Sequence, residues 1–392
     1  MIKGGSSVET TSFYRDTWAE INLDHIYNNV KNVKKHLPAH VTLYAVVKAN
    51  AYGHGYEETA RTALEAGANA LAAAFLDEAV YLRNKGFSCP ILVLGASRPE
   101  DVQVAANYDI SLTVFNLEYL QEARKSMTGD QAVKLHLKCD TGMGRLGFTS
   151  AEELQKAERL ITSFDLYDFE GIFTHFAAAD EEDSSYYELQ LKRFTEFLEA
   201  LAERPRLIHA SNSAATLRFK DSQFNAARLG IAMYGLSPSE EIKPHLPFEL
   251  HQAMSLKTKV VSIKKLSKGD RISYGGAYTL QEDEWIAALP VGYADGFLRK
   301  LQGQEVLVQG KRVPIVGRIC MDQCMIRLPE KVDIGTEVTL VGRDGDEFIS
   351  LDEIAVKLDT INYEAACLVA WRMPRVYKKY GKTHITNNSL LE

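Results

Sequence analysis

The sequence predicts an α/β chain in two parts, an N-terminal (β/α)8 barrel of the TIM type followed by a mostly antiparallel β C-terminal domain. Three observations predict it. The chain has 392 residues, more than one ordinary core holds. Eight short apolar runs, each followed by a helix-like segment or a turn, fill about 230 residues of its first two thirds. After Pro247 the texture changes to short β-branched runs punctuated by turn signals.

Taken in order, Thr17 to Asp24 (TWAEINLD) alternates like a strand, and the sequence does not say which domain it joins. Leu23, Ile26, Val30, Val33 and Leu37 recur at spacings of three and four, which marks an amphipathic helix. The apolar strand Leu43 to Val47 follows and ends at Lys48. Further strands are expected at Ala70 to Phe75, Ile91 to Leu94, Ile110 to Phe115, Val133 to Leu137, Gly171 to Phe176, Leu207 to Ala210 and Ala226 to Leu229. Helical patterns lie between them at Glu57 to Ala66, Asp77 to Lys85, Leu117 to Ser126, Ala151 to Thr162 and Tyr187 to Glu203. Strands buried on both faces and separated by helices pair in parallel. Eight such units fit a closed barrel better than the alternative, a doubly wound open sheet. In the last third, Lys268-Gly269-Asp270, Gly275-Gly276, Gln309-Gly310-Lys311 and Arg343-Asp344-Gly345-Asp346 mark turns, and helical periodicity returns only at Asp352 to Leu358. The expected organisation is a disordered leader at 1–12, a barrel at 13–247, a β domain at 248–385 and a tail at 386–392.

Composition excludes several classes. A net charge of −7 without any Lys/Arg run argues against nucleic acid as a partner. No apolar run approaches the ~20 residues of a membrane span, and the N-terminus lacks the apolar core of a signal peptide. Five scattered cysteines (Cys89, Cys139, Cys320, Cys324, Cys367) suit a reducing cytoplasm. Cys320 and Cys324 have no second pair beside them, so free thiols and no metal are expected.

In a barrel of this kind the chemistry gathers at the C-terminal ends of the strands. Lys48 leaves an apolar wall there, where desolvation favours the neutral amine that Schiff-base chemistry needs. The small and aromatic residues after it (Ala49, Ala51, Tyr52, Gly53, Gly55) admit a flat ligand. Asn212-Ser213-Ala214-Ala215, opening a short helix, and Gly230-Ile231 offer N–H groups and a hydroxyl for a phosphate, although Ser213 could equally be a plain helix cap. Gly142-Met143-Gly144-Arg145-Leu146-Gly147 matches G-x-G-x-x-G literally. Cys139-Asp140-Thr141 precede it and the helix begins only near Ser150, so it is not a dinucleotide fingerprint. Arg145 within it suits a substrate carboxylate.

VVKANAYGHG (Val46 to Gly55), HLKCDTGMGRLG (His136 to Gly147), FTHFAAAD (Phe173 to Asp180), HASNSAATLR (His209 to Arg218), ISYGGAYT (Ile272 to Thr279) and RICMDQCM (Arg318 to Met325) resemble the motifs of bacterial alanine racemases, nearest the Bacillus type. The resemblance spans about residues 13 to 380 and keeps the order of motifs. It implies pyridoxal 5'-phosphate held by Lys48, which would also act on the α-proton of D-alanine. Tyr274 would be the opposite-face base for L-alanine, hydrogen-bonded by His175, which links in turn to Arg228. A planar carbanion must lose and regain its proton on opposite faces, hence two bases. Arg228 would face the pyridine nitrogen, and as a donor that keeps its proton it leaves that nitrogen unprotonated. Tyr52, Ser213, Gly230, Ile231 and Tyr363 match phosphate-binding positions, and Arg145 and the Met321 backbone match substrate-carboxylate contacts. Lys138 aligns with a lysine that some members carry as a carbamate. Tyr293 and Asp322 match residues near the entrance. The resemblance further implies a head-to-tail homodimer with composite sites and a supply of D-alanine for peptidoglycan. Racemisation of serine or another amino acid, a non-catalytic carrier of the cofactor, and a related decarboxylase are the alternatives.

Overall fold

The computed structural model describes residues 13–391, so the expected leader at 1–12 lies outside the described residues. Contacts divide the chain into two units, one formed by Ile26–Ala51 and Tyr56–His251, the other by the described residues through His25, by Tyr52–Gly55 and by those from Gln252 onward.

Thr17–Asn22 forms β1 of the second unit, as described below. The first unit is a closed barrel of eight strands: β2 (Thr42–Val46), β3 (Ala70–Ala73), β4 (Ile91–Val93), β5 (Ser111–Val114), β6 (Val133–Lys138), β7 (Tyr167–Phe173), β8 (Leu207–His209) and β9 (Ala226–Leu229). The parallel pairing of β9 with β2, Arg228 opposite Tyr44, closes the ring and removes the open doubly wound sheet as an alternative. The strands are mostly buried and rich in Ala, Val, Leu and Ile, as parallel strands covered on both faces must be. The surrounding helices start where the sequence provides caps. Asn116 accepts from the Tyr119 N–H, opening Leu117–Ser126, and Ser150 accepts from the Glu153 N–H, opening Ala151–Thr162. The latter buries Leu154, Ala157 and Ile161, its three-and-four-spaced stripe.

Two elements depart from expectation. Strand β7 begins at Tyr167, four residues before the apolar run at Gly171, because Asp168 and Glu170 break the apolar pattern while keeping their ladder or side-chain partners. A six-residue helix at Val102–Asn107 turns on small residues, Ala105 and Ala106, too weak in periodicity to stand out.

In the second unit an eleven-stranded sheet runs in the order Ser262–Leu266, Glu284–Leu289, Cys324–Leu328, Lys311–Val316, Glu305–Val308, Glu337–Asp344, Met254–Lys259, β1, Arg375–Lys379 and Lys382–Asn387, with Glu347–Ile349 paired off Glu337–Asp344. Every pairing is antiparallel except that of β1 with Arg375–Lys379. The early TWAEIN strand is therefore part of this sheet, a placement no local pattern encodes. Besides Leu351–Leu358, capped by Ser350, a short helix forms at Asn362–Cys367. No helix among the described residues is long and apolar enough to cross a membrane.

Candidate active site

Lys48 follows β2 by two residues, and the chain after it turns the wrong way for L-residues. Ala49, Asn50, Ala51 and Tyr52 all have φ between 51° and 53°. Each such residue costs about 1–2 kcal/mol, so the turn must be held from outside. Glu78 holds its start: one carboxylate oxygen accepts from the Ala49 N–H (2.8 Å) and the Tyr56 hydroxyl (2.8 Å), the other from the Ala74 N–H (2.7 Å). Beyond the turn, the buried Arg375 gives two N–H bonds to the Gly53 carbonyl, at 3.2 and 3.1 Å, and Tyr377 donates to the His54 carbonyl. Gly53 and Gly55 have no room for a side chain, since a Cβ would lie 2.4 Å from the Ala366 carbonyl and 1.9 Å from the Tyr377 hydroxyl.

Glu78 was invisible to motif reading. Glu78→Ala is expected to cost about 2–3 kcal/mol, the worth of bonds to a charged acceptor, and, with Lys48 as the cofactor lysine that the resemblance implies, to weaken cofactor uptake. Urea unfolding of the cofactor-free protein and a cofactor titration check both; unchanged midpoints and affinity would dismiss the clamp.

Arg228, on β9, is buried and its four terminal N–H groups are committed. Nη1 bonds His209 Nδ1 (2.6 Å) and the His209 carbonyl (3.2 Å), and Nη2 bonds the carbonyls of Thr174 (2.8 Å) and Ala210 (2.9 Å). Burial pulls the guanidinium down to about 9, which still leaves it charged at neutral pH. The expected hydrogen-bonded link from His175 to Arg228 is not made among the described residues. His209 takes that place because it sits at the end of the adjoining strand β8. His175 is coupled to Arg228 through space instead. Burial, then Arg228, Lys138, Arg145 and Lys48, hold its imidazole well below the ordinary histidine range, hence neutral.

Lys138, at the end of β6, belongs to the same neighbourhood. Burial, then Arg145 and Arg228, lower its amine to about 8. The glycine-rich loop after it is organised by Asp140, whose carboxylate accepts from the N–H groups of Gly142, Gly144 and Arg145, each at 3.0 Å. The loop thus folds around an acid and leaves the Arg145 side chain exposed. A groove of about 550 Å³ opens behind it, lined by Asp140, Thr149, Arg193 and Phe197, and no cofactor candidate lines it.

At the expected phosphate seat the helix cap is Asn212, accepting from the Ala215 N–H, and not Ser213. Ser213 Oγ instead accepts from the N–H groups of Gly230 (2.9 Å) and Ala232 (3.4 Å), which draws Ser213, Gly230 and Ile231 together at the start of two helical turns.

In the second unit, Tyr52 and Tyr363 lie side by side, ring centroids 6.2 Å apart. Tyr274 opens a turn flanked by Ser273 (φ 69°) and Gly275 (φ 72°), and Ser273 Oγ exchanges bonds with the Arg318 backbone. Tyr274 is 70% exposed and its hydroxyl makes no hydrogen bond among the described residues. The loop Cys320–Asp322 is pinned from two sides. Its Cys320 and Met321 carbonyls accept from the Tyr293 and Ala294 N–H groups, and Arg372 bridges Asp322 (2.7 Å) to the buried Asp295 (2.8 Å). The Met321 N–H enters none of these bonds.

The donor set suits one class of ligand. On the barrel unit an amine, a guanidinium held as a donor and a hydroxyl at a helix start fit an anionic aromatic aldehyde phosphate; no group of three or more His, Cys, Asp or Glu among the described residues is placed for a metal.

Two family models match the chain, alanine racemase N-terminal domain over residues 21–238 and alanine racemase C-terminal domain over residues 253–377. The alanine racemase of Geobacillus kaustophilus is 56% identical, with 93% of this chain and 95% of that protein aligned. The crystal structure of alanine racemase from Bacillus anthracis with bound L-Ala-P superposes at a TM-score of 0.95 with 52% identity, covering 97% of this chain and all of that one. A histidine racemase from Leuconostoc mesenteroides superposes at 0.89 with 33% identity, covering 95% of this chain and all of that one. The chain belongs to the alanine racemase family of pyridoxal 5'-phosphate-dependent isomerases.

Proposed function

We propose that this pyridoxal 5'-phosphate-dependent racemase interconverts L- and D-alanine with Lys48 and Tyr274 as its two proton-transfer groups, supplying D-alanine for peptidoglycan. The observation that carries the reading is Arg228. Its terminal N–H groups are taken inside the barrel, so its Nε–H is the donor left for the cofactor's ring nitrogen. An acid at this place would protonate that nitrogen and favour other chemistries, the decarboxylase reading among them. When bound, the cofactor supplies the electron sink that lets an α-proton leave.

The chain's own residues supply the rest. Ser213, Gly230 and Ile231 on the barrel unit, and Tyr52 and Tyr363 on the second unit, match the family's phosphate-binding positions. Lys48 anchors the cofactor and moves the proton on the D face at its Nζ. Tyr274 moves it on the L face at its hydroxyl oxygen, and neutral His175 can accept a bond from that phenol. Arg145 and the Met321 N–H hold the substrate carboxylate. A carbamate on Lys138 forms only from the neutral amine, the form burial favours. It would turn repulsion of Arg145 into attraction. Tyr293 and Asp322 border the entrance. The exposed Tyr274 and Met321, 70% and 53% accessible, suit a face that meets a second copy, which supports a head-to-tail homodimer as the working unit. Five free cysteines favour a reducing cytoplasm.

The histidine racemase of similar structure gives weight to a second reading, another amino acid as substrate. A pocket discriminates small side chains by about 10- to 200-fold. Comparing kcat/KM for L-alanine, L-serine, L-lysine and L-histidine is expected to place alanine at least about tenfold ahead; any of the others overtaking it would unseat the alanine reading.

A further inference from the structure

Behind Arg228 the barrel interior holds a run of polar groups that the proposed reaction leaves unused. Arg228 Nη1 bonds His209 Nδ1 at 2.6 Å. His209 Nε2 lies 2.9 Å from His136 Nδ1, and His136 Nε2 lies 3.0 Å from Glu170 Oε2. The Ser111 hydroxyl donates to the same Glu170 oxygen. All five side chains are buried, the most accessible being Glu170 at 8%.

The proton positions follow by elimination. A guanidinium only donates, so His209 Nδ1 accepts and carries no proton. The His209 proton therefore sits on Nε2 and is given to His136 Nδ1. That nitrogen is bare in turn, so the His136 proton sits on Nε2 and points at Glu170. Burial alone would raise Glu170, but the hydrogen bonds from His136 and Ser111 and the nearby charge of Lys134 hold it below the usual carboxylate range, a carboxylate. His209 is held far below the ordinary histidine range by burial and then by Arg228. Both imidazoles are neutral, and the His136–Glu170 contact is a hydrogen bond and not an ion pair. The guanidinium and the carboxylate stand at opposite ends of this run, and at its far end Glu170 Oε1 also lies 3.8 Å from Arg206 Nη2.

Three features of the barrel accommodate it. The register between β6 and β7 slips between Leu135 and His136, pairing Leu135 with Phe169 and His136 with Gly171. Glu170 is the extra residue of that bulge, a device that re-aims a side chain. Gly171 leaves space for the ring, since a Cβ there would lie 2.3 Å from His136 Nδ1. His209 is stacked on Phe173 (4.7 Å, 9°) and Tyr44 (5.7 Å, 29°), which fixes its plane.

We propose that Glu170 is a positioning residue for racemisation: through two neutral histidines of fixed tautomer it orients the guanidinium that faces the cofactor's ring nitrogen. The proposal rests on the assignment of Arg228 made above. Its logic is that the counter-charge of a buried arginine is placed remotely, so that no acid stands beside the ring nitrogen to exchange a proton with it. Removing the carboxylate leaves the His136 Nε2–H buried without an acceptor. A tautomer flip of His136 relieves that, forces His209 to flip, and turns an N–H of His209 against the N–H of Arg228.

Holoenzyme labelled with 15N in histidine tests this, because bare and protonated ring nitrogens resonate far apart. Both rings are expected as neutral Nε2–H tautomers; an imidazolium or an Nδ1–H tautomer at either one overturns the chain. Glu170→Leu is expected to lower kcat about tenfold or more, the usual worth of a partner standing one shell behind a site, with KM for alanine barely moved. Glu170→Gln, whose amide oxygen still accepts both bonds, is expected to recover most of that loss and the wild-type tautomers. A Leu enzyme with wild-type kcat, or a Gln enzyme no faster than the Leu enzyme, overturns the positioning role. Arg228→Lys, read by the 15N resonance of labelled cofactor, tests the underlying assignment separately: an unmoved ring-nitrogen resonance would remove Arg228 from the cofactor while leaving the tautomers in place.

Discussion

Lys48→Ala is expected to leave a folded, nearly colourless protein whose racemisation has fallen by at least about 10⁴-fold. The size follows from two roles on one amine. General acid–base work contributes about 10² to 10⁴ by itself, and the same nitrogen is the covalent hold on the cofactor, without which the substrate meets no activated partner. The fold should survive because Lys48 is not what secures its own turn. Glu78 grips the Ala49 N–H, and Tyr234 donates to the Val46 carbonyl just before it. An absorbance scan of the purified variant, polarimetry on D-alanine and a urea melt together decide the matter. A variant that keeps a stable visible band and more than about a tenth of wild-type turnover would show that another amine does the work. Lys138, with its amine lowered to about 8, would then be the first to examine.

Much of this was legible in the sequence, and the boundary of legibility has a physical form. Eight apolar runs spaced by helical stripes specify a barrel because buried parallel strands cannot alternate. The run Val46 to Gly55 and its companions singled out Lys48 and Tyr274 as candidates because their residue types and order suit the chemistry, and the resemblance added Arg228. What escaped is tertiary. Thr17–Asn22 reads as a strand, yet its partners are Met254–Lys259 and Arg375–Lys379, hundreds of residues away. Asn212 and Ser213 are both good caps, and only the Gly230 N–H, brought up by the neighbouring strand, decides that Ser213 turns elsewhere. Of the left-handed run Ala49–Tyr52 only Asn50 is a type that takes that conformation readily; for the others it has to be held from outside, and Glu78 grips the Ala49 N–H. His136 and His209 left one trace, a histidine inside an otherwise apolar strand, and Glu170 left none because a bulge turns it inward. A polar residue at an interior strand position is the signal to pursue, since it must find a partner across the barrel.

Tyr274→Phe is the complementary case, a large loss of activity with almost none of stability. The hydroxyl makes no hydrogen bond among the described residues and the side chain is 70% exposed, so its removal should move stability by no more than about 0.5 kcal/mol. Cofactor binding and colour should be unchanged, since Lys48, Ser213 and Arg228 are untouched. Racemisation should fall by about 10² to 10⁴ in both directions, as deleting one of two acid–base groups predicts. The two-base reading makes a sharper demand. With Lys48 intact, the variant should still exchange the α-proton of D-alanine with deuterium from solvent, while L-alanine exchanges hardly at all. Equal exchange from both enantiomers would mean that a single base serves both faces and that Tyr274 is not the second. Mixing decides where the tyrosine acts. In a dimer with composite sites, one Lys48→Ala chain and one Tyr274→Phe chain form one site with both lesions and one with neither. Random reassociation of the two dead variants should then restore about a quarter of wild-type activity, since half the dimers are mixed and each has one of two sites intact. If both groups serve within a single chain, every site in the mixture carries a lesion and no activity returns.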